Sequence, residues 1–139
     1  MEIIANALQT VEMQGNVLFT ATVISGKCST THRDGSGLVT LRGVTNQCRA
    51  RYKVSFGANI GLPTGGTVEP ISVAIAIEGE AVASTTMIYT PAAVEEFGNV
   101  FSAIFIEVPR GCCVTISVKN TSGQEIDVQN ANLIVERVA

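Results

Sequence analysis

Apolar and polar side chains alternate residue by residue along most of this chain. A period of two presents successive side chains to opposite faces of an extended strand, whereas an amphipathic helix repeats near 3.6. In Arg49–Phe56 the positions Ala50, Tyr52, Val54 and Phe56 are apolar, while Arg49, Arg51, Lys53 and Ser55 are polar. Ile71, Val73, Ile75 and Ile77 stand opposite Ser72, Ala74 and Ala76, and Val114, Ile116 and Val118 stand opposite Thr115, Ser117 and Lys119. Val17–Ile24, Leu38–Arg42, Ser84–Tyr89, Val100–Val108 and Glu125–Arg137 read as further strands, the last with an irregularity at Asn130-Ala131-Asn132. That makes about eight strands, separated by segments rich in turn-forming residues: 27–37, 61–66, 78–80, 109–111 and 120–123.

Such a series, without helices between the strands, predicts an all-β fold, an antiparallel β-sandwich of the jelly-roll kind. Thr90–Glu96, with Thr90 as cap and Pro91 in the first turn, is the one helical-looking piece, and it is short enough to be a crossover loop. An immunoglobulin sandwich has less support, because the chain has no tryptophan and its cysteines do not frame one. The 139 residues suffice for a single core. Weak alternation and several amides (Asn6, Gln9, Gln14, Asn16) make residues 1–16 an N-terminal arm, with the domain proper at 17–139.

Catalytic chemistry finds few candidates. The single histidine, His32, shares a loop with Asp34 and Ser36, but neighbours in one loop seldom meet in triad geometry, so a turn is the expectation. Glu78 with Glu80, and Glu95 with Glu96, are adjacent along the chain and not opposed across a cleft. Cys112 and Cys113 would point to opposite faces of a strand and could not grip one ion, while Cys48 and Cys113 read as buried thiols and Cys28–Cys48 as a conceivable loop staple. The glycine-rich 61–67 lacks the Lys-Ser/Thr of a phosphate loop and precedes a strand, so it reads as a long hairpin connection. No catalytic residue, metal or cofactor is therefore expected.

Only 15% of the residues are charged against 46% hydrophobic, and the mean hydropathy is +0.34. No apolar run is long enough to span a membrane, so the surplus apolar surface is expected to be covered by another protein chain. The first residues show no secretory leader, which points to maturation in the cytoplasm. Six of the nine basic side chains lie in 27–53 (Lys27, Arg33, Arg42, Arg49, Arg51 and Lys53) with only Asp34 against them. Without exposed aromatics or a basic domain to accompany the stripe, this favours contact between protein copies over nucleic acid. Val100–Val108 is sharper still. Val100, Ile104, Ile106 and Val108 share one face with Ser102, and Phe101, Ala103 and Phe105 share the other with Glu107, so both faces are largely apolar. A sandwich strand has only one inner face, and the second is read as a subunit interface.

The order of these segments resembles a known family. Gly15-Asn16-Val17-Leu18-Phe19, Gly37-Leu38-Val39-Thr40-Leu41, Ala50–Phe56, Ile71–Val82, Ile106–Ile116 and Ala131–Arg137 are similar to motifs of the globular heads of the tumour-necrosis-factor and complement type, a pattern shared by bacterial spore-surface and phage proteins. No collagen-like stalk or Asp-rich calcium loop accompanies them. The resemblance implies a jelly roll of about ten strands packed as a homotrimer. Tyr52, Val54, Ile104 and Ile106 would then fill the core, and Phe101, Ala103 and Phe105 would lie at the three-fold axis with Ile134 nearby. On the same face Arg51 and Lys53 would form inter-subunit ion pairs with Glu107 and Glu136.

Asn59–Gly66, Thr90–Glu96 and the Cys112-Cys113 pair further resemble small structural proteins found with phage head genes of Firmicutes. This implies a non-enzymatic virion protein, assembled in the bacterial cytoplasm and decorating a capsid. Its arm, through Ile3, Ile4, Leu8 and Val11, would bind the major capsid protein. The competing expectation is a receptor- or glycan-binding head of a phage fibre or spore surface, acting through apical loops 27–37 and 61–69.

Overall fold

The computed structural model describes residues 1–139. The strands are β1 (Glu2–Ala5), β2 (Gln9–Val11), β3 (Ala21–Ile24), β4 (Thr30–His32), β5 (Val39–Arg42), β6 (Arg49–Gly61), β7 (Ile71–Ile77), β8 (Glu80–Ala81), β9 (Met87–Tyr89), β10 (Phe97–Pro109), β11 (Cys113–Asn120) and β12 (Ile126–Arg137). They form two antiparallel sheets. The long-strand sheet runs β10-β6-β12-β1-β3 with β2 also on β12, and the short-strand sheet runs β4-β5-β11-β7-β8 with β9 also on β7. This is the expected all-β sandwich.

The alternation explains the core. The even positions of β6 (Ala50, Tyr52, Val54, Phe56, Ala58 and Ile60) are buried, and they face Ile71, Val73 and Ile75 of β7 and Ile116 and Val118 of β11 within one cluster. Leu133 and Val135 extend it along β12. Tyr52 keeps a buried ring because its hydroxyl donates to the Arg42 carbonyl at 2.5 Å. Ile106 is buried as expected, while Ile104 packs at the margin, partly buried.

β12 changes parity half-way. Ile126 and Val128 are buried before Asn130, and Ala131, Leu133 and Val135 after it. Its register with β6 shifts between Gln129 and Asn132, and Asn130 takes φ 54°. A β-bulge inserts one residue and so keeps both halves of an apolar strand facing the core. Asparagine tolerates the left-handed conformation better than most residues.

Several segments depart from expectation. Residues 1–16 are not an arm: β1 pairs with β12 and β3, and β2 pairs with β12. Ile3 and Val11 are consequently core residues, 0% and 4% exposed. The amides that suggested a detached segment serve the fold. Gln9 donates through Nε2 to the Leu18 carbonyl and accepts the Leu18 N–H at Oε1, both at 2.9 Å, imitating a strand rung with its side chain. Val17–Thr20 is not strand either, although Val17 and Phe19 are fully buried. Ser84–Tyr89 divides into a 3-10 turn (Ala83–Thr85) and β9. Residues 90–96 form no helix and cross between the sheets, and 61–70 also crosses between them instead of closing a hairpin.

Asn120 ties these irregular pieces together. Its Nδ2 donates to the carbonyls of Val11, Glu12 and Gln124 at 3.0–3.1 Å, and its Oδ1 accepts the Ser122 N–H at 2.9 Å. Asn120→Ala would remove all four bonds, two of them buried. A loss of roughly 1–3 kcal/mol in unfolding free energy is expected, measured by urea denaturation.

Candidate assembly face

The outward face of the long-strand sheet is built row by row from the strand register. Phe105, Lys53 and Glu136 form one row across β10, β6 and β12. Ala103, Ser55 and Ile134 form the next, and Phe101, Gly57 and Asn132 the one after. β1 continues two of these rows, with Glu2 beside Ile134 and Ile4 beside Asn132. The expected interface residues thus occupy one continuous surface. Phe101 and Phe105 are 65% and 62% exposed and Ile134 is 40% exposed, although all three lie in the middle of regular strands. The Phe101 ring leans over Gly57, where a side chain would lie in van der Waals contact with it.

Polar side chains bound this apolar centre at both ends. On one side Asn99 donates to Asn59 at 3.1 Å, and Asn59 donates to Asn130 at 3.4 Å. On the other side Glu107 accepts from Arg49 at 2.9 Å and from Arg51 at 2.8 Å. The Arg51–Glu107 pair therefore closes within one chain, which corrects the expectation of an inter-subunit bridge at that position. The reason is register: Arg51 and Glu107 are direct cross-strand partners. Lys53 and Glu136 are likewise partners in register. Gly57, Asn59 and Asn99 escaped the sequence reading, although they share the parity of Lys53 and Phe101, which was the signal available.

Hydrogen bonds from Arg51 and then Arg49 hold the Glu107 carboxyl below its ordinary value near 4.5. A carboxylate whose folded value is depressed stabilises the fold above its unfolded value, and that contribution disappears as pH falls through the folded value. An NMR titration of Glu107 should show its midpoint below 4.5 in the native protein. Arg51→Ala should move it upward, and high salt should lessen the difference because the group is exposed.

His32 ends β4 as a structural strut. Its side chain is fully buried; Nε2 donates to the Ser36 carbonyl at 2.9 Å and Nδ1 meets the Thr22 hydroxyl at 2.8 Å. The Thr22 hydroxyl also reaches Asp34 Oδ1 at 2.8 Å, while the Ser36 hydroxyl accepts the Leu38 N–H. Nothing in this arrangement presents a nucleophile to a substrate. No group of three His, Cys, Asp or Glu residues is disposed to hold a metal ion. Cys48 and Cys113, expected to be buried, are exposed along with Cys28 and Cys112, and all four are free. The loop positions of Cys28 and Cys48, and the place of Cys112-Cys113 at the mouth of β11, account for this.

The Lys27 end of the first binding loop and the second loop, 61–69, lie at opposite poles, because residues 30–32 of the first are strand β4, which carries the chain away to a turn at 33–37 seated on Phe19. Residues 61–69 approach Gln124 and Glu95, through Gln124 to Thr67 and Glu69 and through Thr64 to Glu95. Lys27 instead shares a groove with Val44 and Arg137. The thirteen residues of β6 separate these ends by about 40 Å.

No protein family and no curated protein matches the chain in sequence. Solved structures do match in shape. The Eiger TNF of S. frugiperda superposes with a TM-score of 0.66 at 16% identity, covering 100% of this chain and 92% of that one. The globular domain of zebrafish complement 1qA gives 0.63 at 10% identity, covering 96% and 93%. Murine APRIL gives 0.60 at 10% identity, covering 95% and 96%. The fold is the tumour-necrosis-factor and complement-head jelly roll. Within this jelly roll, the apolar outward face belongs to the sheet containing β6, β10 and β12.

Proposed function

We propose that this chain is the non-enzymatic subunit of a homotrimeric head, and that the trimer decorates a phage capsid as a virion protein assembled in the bacterial cytoplasm. The observation that carries the trimer is the exposure of Phe101, Phe105 and Ile134 on one sheet face. Monomers rarely leave aromatic rings in such a contiguous patch, and each ring still exposes more than three-fifths of the roughly 150–250 Å² that a large aromatic side chain can bury. Capsid decoration is supported by the resemblance of the 59–66, 90–96 and Cys112-Cys113 segments to phage head-associated proteins, and by the match between a three-fold oligomer and three-fold positions of a shell. Of the four residues assigned to capsid contact, Ile3 and Val11 are core and Ile4 lies on the assembly face. Leu8, 54% exposed, remains available to a shell protein.

Light scattering on the purified chain under reducing conditions should give the mass of three chains; one chain would overturn the trimer. Purified trimer should cosediment with capsids lacking it and appear as density at three-fold or quasi-three-fold sites. Density confined to the tail tip, or retention on a glycan array without capsid binding, would replace the capsid role with that of a receptor-binding head.

A further inference from the structure

All four cysteines lie at one pole of the sandwich. There β5 ends at Arg42 and the chain crosses through residues 43–48 into β6, while β10 ends at Pro109 and turns through Arg110–Cys112 into β11. The crossing and the turn are bonded together. Arg110 N–H donates to the Cys48 carbonyl at 2.9 Å, Gly43 N–H to the Cys112 carbonyl at 2.8 Å, and Gly111 N–H to the Gly43 carbonyl at 3.0 Å. The contact is close enough that a side chain at Gly43 would collide with the Pro109 carbonyl. Cys28 precedes Ser29, whose carbonyl accepts the Arg42 N–H at 2.8 Å. Cysteine is among the residue types most often buried, so four exposed thiols at one pole contribute little to packing.

Strand geometry disfavours several pairings within one chain. Cys112 and Cys113 are adjacent and project to opposite sides. Cys113 is in register with Arg42 and Cys28 lies beyond the next strand, so their backbones are about 10 Å apart, too far for a disulfide. The same pole is where the assembly face ends. Its last rungs are Glu107 with Arg51 and Pro109 with Arg49, and the residues that follow are Cys48 on one strand and the turn to Cys112 on the other. Three subunits packed through Phe101 and Phe105 would gather these two thiols around the axis. A three-fold ring that pairs one kind of thiol with itself leaves one over. It closes when each subunit supplies two kinds, one to each neighbour.

We propose that this pole is a covalent lock in which Cys48 of each subunit forms a disulfide with Cys112 of the next. The proposal rests on the trimer described above. The oxidant is a low-molecular-weight disulfide such as oxidised glutathione. The Cys48 thiolate attacks one of its sulfurs, breaking the S–S bond and releasing one glutathione thiolate. The neighbouring Cys112 thiolate then attacks the Cys48 sulfur of the mixed disulfide and releases the second. Each protein disulfide formed reduces one oxidised glutathione to two thiols, which take up the two cysteine protons. Lys27, Arg42 and Arg110, borne on these loops and strand ends, favour approach of the anionic disulfide.

The test treats the full chain with oxidised glutathione and compares light scattering in reducing buffer with a non-reducing denaturing gel. A native trimer that runs as a three-chain species on the gel supports the lock, provided Cys48→Ser and Cys112→Ser each abolish that species and Cys28→Ser and Cys113→Ser do not. A native trimer that runs as single chains, or carries only glutathione adducts or intrachain disulfides by mass, overturns the lock and leaves the trimer standing. Cross-linking that survives Cys48→Ser or Cys112→Ser overturns the assigned pair. A single-chain mass in reducing buffer overturns the trimer itself and the lock with it.

Discussion

The double substitution Phe101→Asp, Phe105→Asp should convert the proposed trimer into a folded, soluble monomer. Both rings are more than three-fifths exposed in the isolated chain, so replacing them removes little of the subunit's own packing. In an assembled head the same rings would be buried, each at about 1.5–3 kcal/mol. The carboxylates would also have to be desolvated at an apolar seam, which costs several kcal/mol more. Loss of the two rings alone weakens association by two orders of magnitude or more, since about 1.4 kcal/mol is tenfold. Sedimentation velocity should show one-chain mass at concentrations where the parent is trimeric, with an unchanged far-UV circular dichroism spectrum. Retention of the parent's oligomeric state would remove this face from the interface.

Phe19→Ala should strongly destabilise the subunit. Phe19 belongs to no strand, yet it is fully buried, edge-on to Phe56 with ring centroids 6.3 Å apart and edge-on to His32 at 6.4 Å. Its carbonyl accepts the Gly35 N–H at 2.8 Å, which seats the β4–β5 turn. Removing a buried phenylalanine ring typically costs about 3–5 kcal/mol, because the lost transfer energy is joined by a cavity that the surroundings fill only partly. Set against total stabilities of about 5–15 kcal/mol, that shift should be plain in a urea melt. The neighbouring Leu18→Ala, at a side chain 48% exposed, should move the midpoint far less. Equal effects at the two positions would mean that Phe19 does not anchor the core.

The long elements were legible because alternation is strongest where a strand is covered on one face. β6, β7 and β11 follow from their apolar parity, and the two-faced pattern of β10 placed Phe101 and Phe105 on the outward side. The Asn130 irregularity was visible for the same reason, as a break in parity between Val128 and Leu133. The short strands were not. β1 and β2 hold four and three residues, and they exist because the distant β12 offers them partners: Ile3 finds Leu133, and Val11 finds Ile126. Gln9 hid its role in a side chain that substitutes for backbone. Cys48 and Cys113 were misplaced because a cysteine's usual preference for burial outweighed the turn residues beside them. On the assembly face, sequence parity indicated which side each residue occupies. It could not show that Arg51 is already engaged with Glu107 inside the subunit.

The pairing of β1 with β12 brings Glu2 against Ile134, almost the full span of the chain apart. On the ribosome the first strand therefore emerges long before its neighbour exists, and the long-strand sheet stays open until β12 has left the exit tunnel. A product stalled or shortened before that point would leave β1 and β6 without the strand they share, their backbone edges free for chaperones or proteases.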